Sequence, residues 1–511
     1  MRIPTLLSAA ALAGATLGQT TGTEHWLAYM ENLDLGFNGP PSFTVVVSSD
    51  TDTEGDLTFP ATGFTIPFNV EAGHDTVLTL PTNIYYPEGD EDIVNFGMRI
   101  TADAPVSVYA YHNRTYFSEA AMVLPYTLLS TEYMVLAHED ALGTDPSEFV
   151  VLATADSTAI EIVPSILTMG FRPPGEPFTI LLDEGQVFQV QAIGDLTGTQ
   201  VRSLDPAKRI AVFSGARQAN VGCEGSADDH LYNQALPQAL WSIRHIAVPF
   251  KNRGGDEYRI LSSADGNIVT VGGNAPVLLS AGEVHSVQIT GVSTIIASAP
   301  VTVGQFNESQ SCNPALGDPC FLWNLPTSLR DTRFIWSSLN AMGTPEHYVN
   351  IVVPGAASAP PVFLDGMNIA NQFAPVPGTP GSFYAQATIS EGEHELTCDA
   401  GAWAAAYGFG DYNSYAFSLG YEEGETTDIG TLLPERANTG NINLREGDAL
   451  SWAKLPQMWA RLDVFEPSGK LVSTFNKSDA SAPISLRAGL YLYRAVIGGA
   501  GVQSGRLVVQ P

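Results

Sequence analysis

An all-β fold is predicted by three features of the sequence: many turn residues, few charged residues, and strand-like segments that recur along the chain. The 511 residues include 48 glycines and 34 prolines, 44% are hydrophobic and 15% are charged. This composition is too apolar for a disordered chain and too rich in turn residues for a helical bundle. The length is sufficient for several domains, each with its own core.

The sequence repeats imperfectly. Three Leu-Pro-x-x-Leu starts occur, at Leu124-Pro125, Leu236-Pro237 and Leu325-Pro326. After each start comes a segment in which apolar and polar residues alternate, beginning at Phe149, Tyr258 and Tyr348. Alternation with a period of two, interrupted by Ala-Asp or Gly, predicts hairpins. Each repeat is therefore expected to contain several short strands.

Every repeat ends in a further strand, and a proline lies in or before it. These strands start at Ala104, Arg209 and Ala299, and the prolines are Pro105, Pro206 and Pro300. Because proline has no N–H for a ladder, we expect it at a strand's first residue or on a sheet edge. The repeats are predicted to be β-sandwich-like units in tandem, followed by a small C-terminal β-sandwich. A propeller with two blades per repeat is the alternative.

Only one helix is predicted, from Ala227 to Ile243. Asp228 or Asp229 would be its N-cap, and Pro237 would break it. The same Asp228-Asp229-His230 run also has the residue types of a hydrolytic site, with a carboxylate beside an imidazole.

The N-terminus has the order of a secretory signal peptide, predicted over residues 1–19. Arg2 precedes an apolar run from Leu6 to Leu17, and small residues lead to Gly18-Gln19. A buried N-terminal helix is the alternative interpretation. No later stretch has the eighteen or so apolar residues of a membrane-spanning helix.

Charge and cysteines limit the partners and the compartment. With 23 Lys and Arg against 54 Asp and Glu, the net charge is −31, which argues against nucleic acid or an anionic membrane as partner. Cys312 and Cys320 bracket a short loop with Pro and Gly, and a disulfide between them is predicted for an oxidising exterior. The pairing of Cys223 and Cys398 stays open.

Known catalytic motifs are absent from the sequence: it has no HExxH, GxSxG, Walker or dinucleotide fingerprint. One acidic run offers oxygen ligands at alternate positions for Ca²⁺, formed by Asp50, Asp52, Glu54 and Asp56. An EF-hand is excluded because its twelfth position is Ala61, so the run is either a looser calcium site or an acidic hairpin tip. No other cofactor is predicted.

Six tyrosines are candidates for contacts with a glycan or a protein, or for the core: Tyr109, Tyr111, Tyr116, Tyr407, Tyr412 and Tyr415. Tyr109 and Tyr111 share one strand face, because side chains on a strand alternate between its two faces.

Four segments together resemble the IgGFc-binding protein N-terminal domain family. They are GTEHWLAYMENL from Gly22, DLTGTQVRSLDPAKRIAVFSGAR from Asp195, DHLYNQALPQALW from Asp229 and DEYRILSSADGNIVTV from Asp256. The resemblance covers residues 20–421, and the later AYGFGDYNSYAFSLG from Ala406 is similar to the ending of bacterial secreted members. It implies an extracellular, non-catalytic binding module. The antibody ligand in the family's name is not carried over, since this chain has few cysteines compared with animal members.

Residues 436–511 resemble the C-terminal sorting domain of the type IX secretion system. Two segments carry this resemblance, ARLDVFEPSGKLVSTF from Ala460 and LRAGLYLYRAVIGGAGVQSGRLVVQ from Leu486. Residues 434–444 lack the Pro-Asn-Pro often found at the start of that domain. The resemblance implies a Gram-negative cell, export across the outer membrane, and release or attachment at the surface. Residues 422–435 are the predicted linker.

The sequence thus predicts a secreted, surface-delivered protein that binds or adheres and does not catalyse a reaction. Its expected partners are an extracellular protein or glycan and the type IX secretion machinery, with no nucleic acid and no membrane span. A secreted hydrolase with a site on its loops, and a structural surface or matrix component, are the alternatives.

Overall fold

The structure is a computed structural model. It describes residues 20–81, 85–223, 227–313, 315–339, 343–356 and 358–421, and in the C-terminal part 442–445, 459–465, 471–476, 486–487, 489–497 and 501–510. The predicted all-β class is confirmed, since these residues form strands and short 3-10 turns and include no α-helix. Within the same residues, no helix is long and apolar enough to cross a membrane. The predicted signal peptide 1–19 and linker 422–435 lie outside the described residues.

Residues 22–418 form four units of similar strand order. Unit 1 contains β1 Gly22–Leu27, β2 Ser42–Ser49, β3 Thr53–Phe59, β4 Phe64–Val70, β5 His74–Thr79, β6 Ile93–Val94, β7 Met98–Arg114 and β8 Phe117–Val123. Unit 2 contains β9 Glu132–Met134, β10 Ser147–Ala153, β11 Thr158–Val163, β12 Phe178–Leu182, β13 Val187–Ala192, β14 Gln200–Ser203, β15 Ile210–Ala219 and β16 Asp229–Gln234.

The third and fourth units repeat this order. Unit 3 contains β17 Ser242–Ala247, β18 Asp256–Ser262, β19 Asn267–Val271, β20 Val277–Leu279, β21 Val284–Ile289, β22 Ser293–Phe306 and β23 Phe321–Trp323. Unit 4 contains β24 Asp331–Ser338, β25 Glu346–Val353, β26 Phe363–Leu364, β27 Met367–Asn368, β28 Ala374–Pro375, β29 Phe383–Ile389, β30 Gly392–Gly410 and β31 Asn413–Ser418.

One long strand organises each unit as a sandwich of two antiparallel sheets. In unit 1 the first half of β7 pairs with β1 and β3, and its second half pairs with β2 and β8. Strands β22 and β30 do the same in units 3 and 4, while unit 2 divides this strand into β14 and β15. The prediction of sandwich-like units in tandem is therefore confirmed. The hairpins predicted from Phe149, Tyr258 and Tyr348 were wrong, because the chain crosses there from one sheet of the sandwich to the other, and β10 does not pair with β11, nor β18 with β19, nor β25 with β26.

The three repeat prolines mark the crossing between the two sheets and not the start of a strand. Pro105 and Pro300 lie inside β7 and β22, and Pro206 lies between β14 and β15. In β7 the pairing with β1 jumps from Thr101 to Val106, so the residues between them leave the ladder. Proline fits there because the chain needs no ladder N–H while it changes sheets.

Each Leu-Pro start is the link between one unit and the next. The leucine is buried and follows the last strand of one unit by one or two residues. A tight turn then leads into the first strand of the next unit. The link at Leu236-Pro237 replaces the predicted helix over 227–243. That prediction was wrong because the acids before the apolar residues are not a cap: Asp229 begins strand β16, whose residues are all buried.

The last strands of the four units, β8, β16, β23 and β31, pack side by side at the centre of the molecule. We call them the hub strands. Strand β8 contacts β16 and β31, and β23 also contacts both of these, so the four strands form a closed ring. The hub strand β16 is also packed closely within its own sheet, since a Cβ at Gly215 on the neighbouring β15 would lie 1.8 Å from the carbonyl oxygen of Leu231 on β16.

Contacts between unit 4 and unit 1 close the ring of units. Thr20 donates its backbone N–H to the carbonyl oxygen of Tyr421 at 2.8 Å, and Tyr421 N–H donates to Thr20 Oγ1 at 2.7 Å. The hydroxyl of Tyr111 on β7 donates to the carbonyl oxygen of Ser337 on β24 at 2.6 Å. The first and last units are thus neighbours.

The C-terminal part forms one five-stranded sheet in its described residues. The strands are β32 Ile442–Arg445, β33 Trp459–Phe465, β34 Leu471–Asn476, β35 Gly489–Ile497 and β36 Gly501–Gln510, in the order β32-β36-β35-β33-β34. The segments from Ala460 and Leu486 each form a hairpin, because β33 pairs with β34 and β35 pairs with β36, each antiparallel.

Candidate functional site

A single carboxylate, Glu119 on β8, ties three of the hub strands together. Its side chain is fully buried and accepts hydrogen bonds from the backbone N–H groups of Ala120 at 3.0 Å, Phe321 at 2.6 Å and Ala416 at 3.0 Å. Burial raises the pKa of this carboxyl, and the three N–H donors act in the opposite direction. The buried polar group thus satisfies backbone groups that no ladder reaches.

The other contacts between hub strands also join a side chain to a backbone group. The carboxylate of Asp229 accepts from the N–H of Ser118 at 2.8 Å, which links β16 to β8. Trp323 donates its indole N–H to the carbonyl oxygen of Gln234 at 2.7 Å, and Ser418 Oγ donates to Trp323 O at 2.6 Å. The hub is therefore a rigid structural element without a backbone ladder between its strands.

Two further carboxyls are buried near the hub. Burial raises the pKa of Asp256 to about 7 and that of Asp318 to about 7. Asp256 accepts from the N–H of Phe250 at 2.6 Å and from Gln305 Nε2 at 2.8 Å. The Asp256 bonds join the loop between β17 and β18 to β22 within unit 3. Asp318 accepts from the N–H of Gln310 at 2.9 Å, so both acids have a structural role.

The run Asp228-Asp229-His230 does not form an accessible site. Asp229 and His230 are fully buried, and only Asp228 is half-buried. Burial lowers the pKa of His230 to about 4, and its Nδ1 lies 3.2 Å from the carbonyl oxygen of Arg217. The N-cap prediction for Asp229 was wrong, because this carboxylate bonds the N–H of Ser118 and its own neighbour inside a strand.

The disulfide joins Cys223 to Cys312, with the two Cα atoms 5.7 Å apart. The predicted pair of Cys312 and Cys320 was wrong. Cys320 is fully buried directly before β23, whereas Cys312 lies in a turn that approaches unit 2, where Ser309 N–H donates to Val221 O at 3.0 Å. Cys320 and Cys398 are both free and buried.

The four predicted calcium ligands do not converge. Asp50 forms an ion pair with Arg333, and Asp52 accepts from the N–H of Ala72 at 2.8 Å. Glu54 and Asp56 line a shallow groove of about 560 Å³. In the part of the chain that the structure describes, no three His, Cys, Asp or Glu side chains are placed to hold a metal. The calcium site stays a prediction from sequence, and melting in millimolar calcium against EDTA tests it.

A second groove, of about 650 Å³, lies between units 1 and 2. Its lining is mainly polar and includes Arg99, Asp183 and Glu184. Neither groove contains Asp228, Asp229 or His230.

The connections into the four hub strands lie at one end of the ring, which we call the loop face. They are residues 115–116, 220–223 with 227–228, 307–313 with 315–320, and 411–412, joined by segment 33–41 of unit 1. The disulfide connects the second and third of them. Gln310 connects the third and fourth, since it donates to Asp411 at 3.0 Å and accepts from Tyr412 N–H at 3.0 Å.

Two of the six candidate tyrosines are exposed on this face. Tyr116 is 45% exposed and Tyr412 is 44% exposed, and each is the second residue of a two-residue turn with a positive φ, of 73° and 55°. Such a backbone is uncommon for a bulky residue. The other four, Tyr109, Tyr111, Tyr407 and Tyr415, belong to the core.

Sequence reasoning missed Phe37, which is 75% exposed on the same face. Its loop is held by Asn38, which accepts from Leu35 N–H at 3.0 Å and donates to Leu33 O at 2.9 Å. Arg114 donates to Gly39 O at 3.0 Å and fixes the loop to β7. The signal was the turn sequence Asp-Leu-Gly-Phe-Asn-Gly, in which a lone aromatic sits among turn residues.

Two solved structures align with this chain, both at low similarity. Latent PorU of Porphyromonas gingivalis aligns with 59% of this chain and 31% of its own, at 12% identity and a TM-score of 0.10. The eight N-terminal Ig domains of Down Syndrome Cell Adhesion Molecule align with 97% of this chain and 71% of their own, at 9% identity and a TM-score of 0.10.

Sequence comparison is more informative. The human IgGFc-binding protein is 25% identical over 238 residues, which are 45% of this chain and 4% of that protein. This chain thus matches only a small part of its much longer relative. The family model described as IgGFc binding protein matches residues 119–408, from the first hub strand into the long strand of unit 4. The chain belongs to the IgGFc binding protein family.

Proposed function

We propose that this protein is a non-catalytic binding protein of the cell exterior and that its loop face holds a protein partner. The observation that carries the proposal is the contrast among its aromatic residues. Four of six candidate tyrosines fill the core, while Tyr116, Tyr412 and Phe37 are exposed on the loop face. Hydrogen bonds fix the loops of Tyr412 and Phe37, and a disulfide joins the two other connections of this face. Exposed aromatics on rigid supports are typical anchors of protein interfaces.

Family membership and charge support the same proposal. The human relative is named for binding IgG Fc, so a protein ligand is the class to test first. The net charge of −31 favours a partner with a basic surface. Antibody Fc itself is one probe among several, since the match covers a small part of that relative.

An array of extracellular proteins and glycans, including human IgG Fc, tests this. The full chain is compared with a variant carrying Phe37→Ser, Tyr116→Asn and Tyr412→Asn, because asparagine tolerates the positive φ. Leu204→Ser is the control, an exposed leucine at the opposite end of unit 2. A protein bound by wild type and control but at least about tenfold more weakly by the triple variant is expected.

Equal binding by the triple variant would refute the loop face as the contact surface. Turnover of an arrayed polymer or peptide that survives repurification would refute the non-catalytic proposal.

We also propose that residues 436–511 direct export by the type IX secretion system and that the protein reaches the surface of a Gram-negative cell. The two antiparallel hairpins and the sequence resemblance support this. Deletion of 436–511 in a bacterium with this system is expected to leave the protein in the periplasm. Unchanged surface delivery of the deleted form would contradict it.

A further inference from the structure

The most exposed large apolar side chain among the described residues is Phe171, at the tip of the loop between β11 and β12. It is 82% exposed, and its φ is +64°. Both features cost free energy in an isolated protein, because the ring is left in water and a residue with a Cβ is held in the left-handed region. Packing within this chain therefore does not explain why the loop holds Phe171 in this exposed, left-handed conformation.

Hydrogen bonds within the loop fix that conformation. Phe171 N–H donates to the carbonyl oxygen of Thr168 at 3.0 Å, and Arg172 N–H donates to Thr168 Oγ1 at 3.1 Å. At the base of the loop, Gly175 N–H donates to Pro164 O at 2.8 Å. Met169 N–H donates to the carbonyl oxygen of Gln191 at 2.8 Å, which joins the loop to strand β13.

Contacts with unit 1 hold the loop from the other side. Arg172 donates three hydrogen bonds to the carboxylate of Glu91, the shortest at 2.7 Å, and its guanidinium lies 4.6 Å from the centre of the Phe178 ring. A Cβ at Gly170 would lie 2.2 Å from Glu91 Oε1, so the loop packs closely on Glu91. Phe171 is therefore presented on a support built from two segments of the chain, the loop itself and the segment of Glu91, whose strand β6 pairs with β13 at the edge of the unit 2 sheet.

The surface around the ring is apolar at its centre and acidic at its edge. Leu167, Met169 and Ile193 are exposed beside Phe171. The two loops that build the site, 87–97 and 164–177, carry five carboxylates, Glu88, Asp90, Glu91, Asp92 and Glu176. They carry one cation, Arg172, which is paired with Glu91.

We propose that the Phe171 loop is a second binding surface, which packs its ring against apolar side chains flanked by Lys or Arg on a protein partner. The acidic edge selects basic flanking residues through charge complementarity. The same charge disfavours a second copy of this chain, which is equally acidic, and an anionic lipid surface. The residues of this surface are different from those of the loop face, so either assignment can fail without the other.

A displayed library of random peptides tests the proposal on the full chain. Peptides are selected on wild type and counter-selected on Phe171→Ser, and the enriched sequences are synthesised and their Kd values measured. Phe171→Ser changes an exposed side chain, so its melting temperature is expected to equal that of wild type. Leu204→Ser, which also removes an exposed apolar residue from unit 2, is the matched control.

The enriched peptides are expected to combine apolar residues with Lys or Arg and to bind wild type and Leu204→Ser equally. Phe171→Ser should bind them at least about tenfold more weakly, and high salt should weaken binding to wild type. Glu91→Gln, which releases Arg172, should weaken binding with Phe171 still present, because Glu91 positions the loop.

Three results would overturn the proposal. The first is a library in which no sequence distinguishes wild type from Phe171→Ser. The second is Phe171-dependent binding to vesicles of phosphatidylcholine, which would make the partner a membrane. The third is a dimer of the full chain that Phe171→Ser dissociates, which would make the partner a second copy.

Discussion

Replacing Glu119 by Ala should destabilise the whole ring of units. The change leaves the buried N–H groups of Ala120, Phe321 and Ala416 without their acceptor. Each orphaned buried group costs about 1 to 3 kcal/mol, and removal of a desolvated carboxylate returns part of that cost, so we expect a net loss of roughly 4 kcal/mol.

The expected shift in melting temperature follows from the size of the ring. An unfolding entropy of about 2.1 cal/mol/K per residue over about 400 residues gives about 0.8 kcal/mol/K. A loss of roughly 4 kcal/mol therefore lowers Tm by about 5 °C if the four units unfold together. Scanning calorimetry of the full chain measures both the shift and the cooperativity.

Glu148→Gln provides the matched control. Glu148 is also fully buried with a raised pKa, but its carboxylate accepts a hydrogen bond from the side chain of Gln191, with Nε2 at 2.7 Å, and the amide oxygen of glutamine can accept that bond. Its Tm should change by less than about 2 °C, given the same entropy. If Glu119→Ala melts within about 1 °C of wild type, the hydrogen bonds of Glu119 do not hold the hub, and the reasoning fails.

Three further changes test other parts of the fold. Peptide mapping without reduction should find Cys223 linked to Cys312, and replacing both with Ser should cost up to about 4.6 kcal/mol in denaturant, since the bond closes a loop of 89 residues; a peptide linking Cys312 to Cys320 would contradict the structure. In wild type, burial raises the pKa of the Asp256 carboxyl to about 7, so the protonated group contributes stability that is present below about pH 4 and lost as pH rises through 7. Asp256→Asn removes this group. Between pH 4 and 8, the free energy of unfolding of the variant should therefore rise relative to that of wild type by up to about 4 kcal/mol, and a difference between the two that does not change with pH would refute this. Gly215→Ala should destabilise by about 1 to 3 kcal/mol because its Cβ would overlap Leu231 O, whereas Gly273→Ala has nothing within 4 Å of its Cβ and should be neutral; equal Tm values for the two would count against the close packing of β15 and β16.

The fold class and the sandwich-like units were predictable because they depend on local pattern. Alternation and turn residues located strands, and Leu-Pro located the links between units. In the repeats, alternation did not show which strands pair, because the strands on either side of each predicted hairpin turn pair with other strands and not with each other. The ring was not predictable in the same way. Its closure depends on pairs such as Glu119 with Ala416 and Thr20 with Tyr421, which are hundreds of residues apart and have no signature in the sequence.

The errors have a common physical origin, which is the burial of polar residues at the hub. Asp229 and His230 look like a helix start or a catalytic pair, but in the structure they belong to a fully buried strand. Cys320 is close to Cys312 in sequence, yet it lies directly before a hub strand and cannot reach the surface turn of Cys312. Spacing in the sequence favoured Cys320 as the partner of Cys312, whereas the packing of unit 3 against unit 2 brings Cys223 to Cys312.

The candidate surfaces were predictable only in part. Tyr116 and Tyr412 were among six candidate tyrosines, and the sequence could not show which of the six are exposed. These two lie in the turns after the long strands, whereas the other four lie within strands that pack in the core. Phe171 gave no sequence signal, since its exposure depends on Glu91 from another unit.

Small-angle scattering of the full chain in dilute solution tests the closed ring most directly. A compact chain of this length has a radius of gyration of about 23 Å, and we expect a value below about 30 Å once residues 422–511 are included. Four sandwiches in an open row, each about 13 Å in radius of gyration and spaced by roughly 35 Å, would give about 40 Å. A measured value near the second figure would contradict the ring.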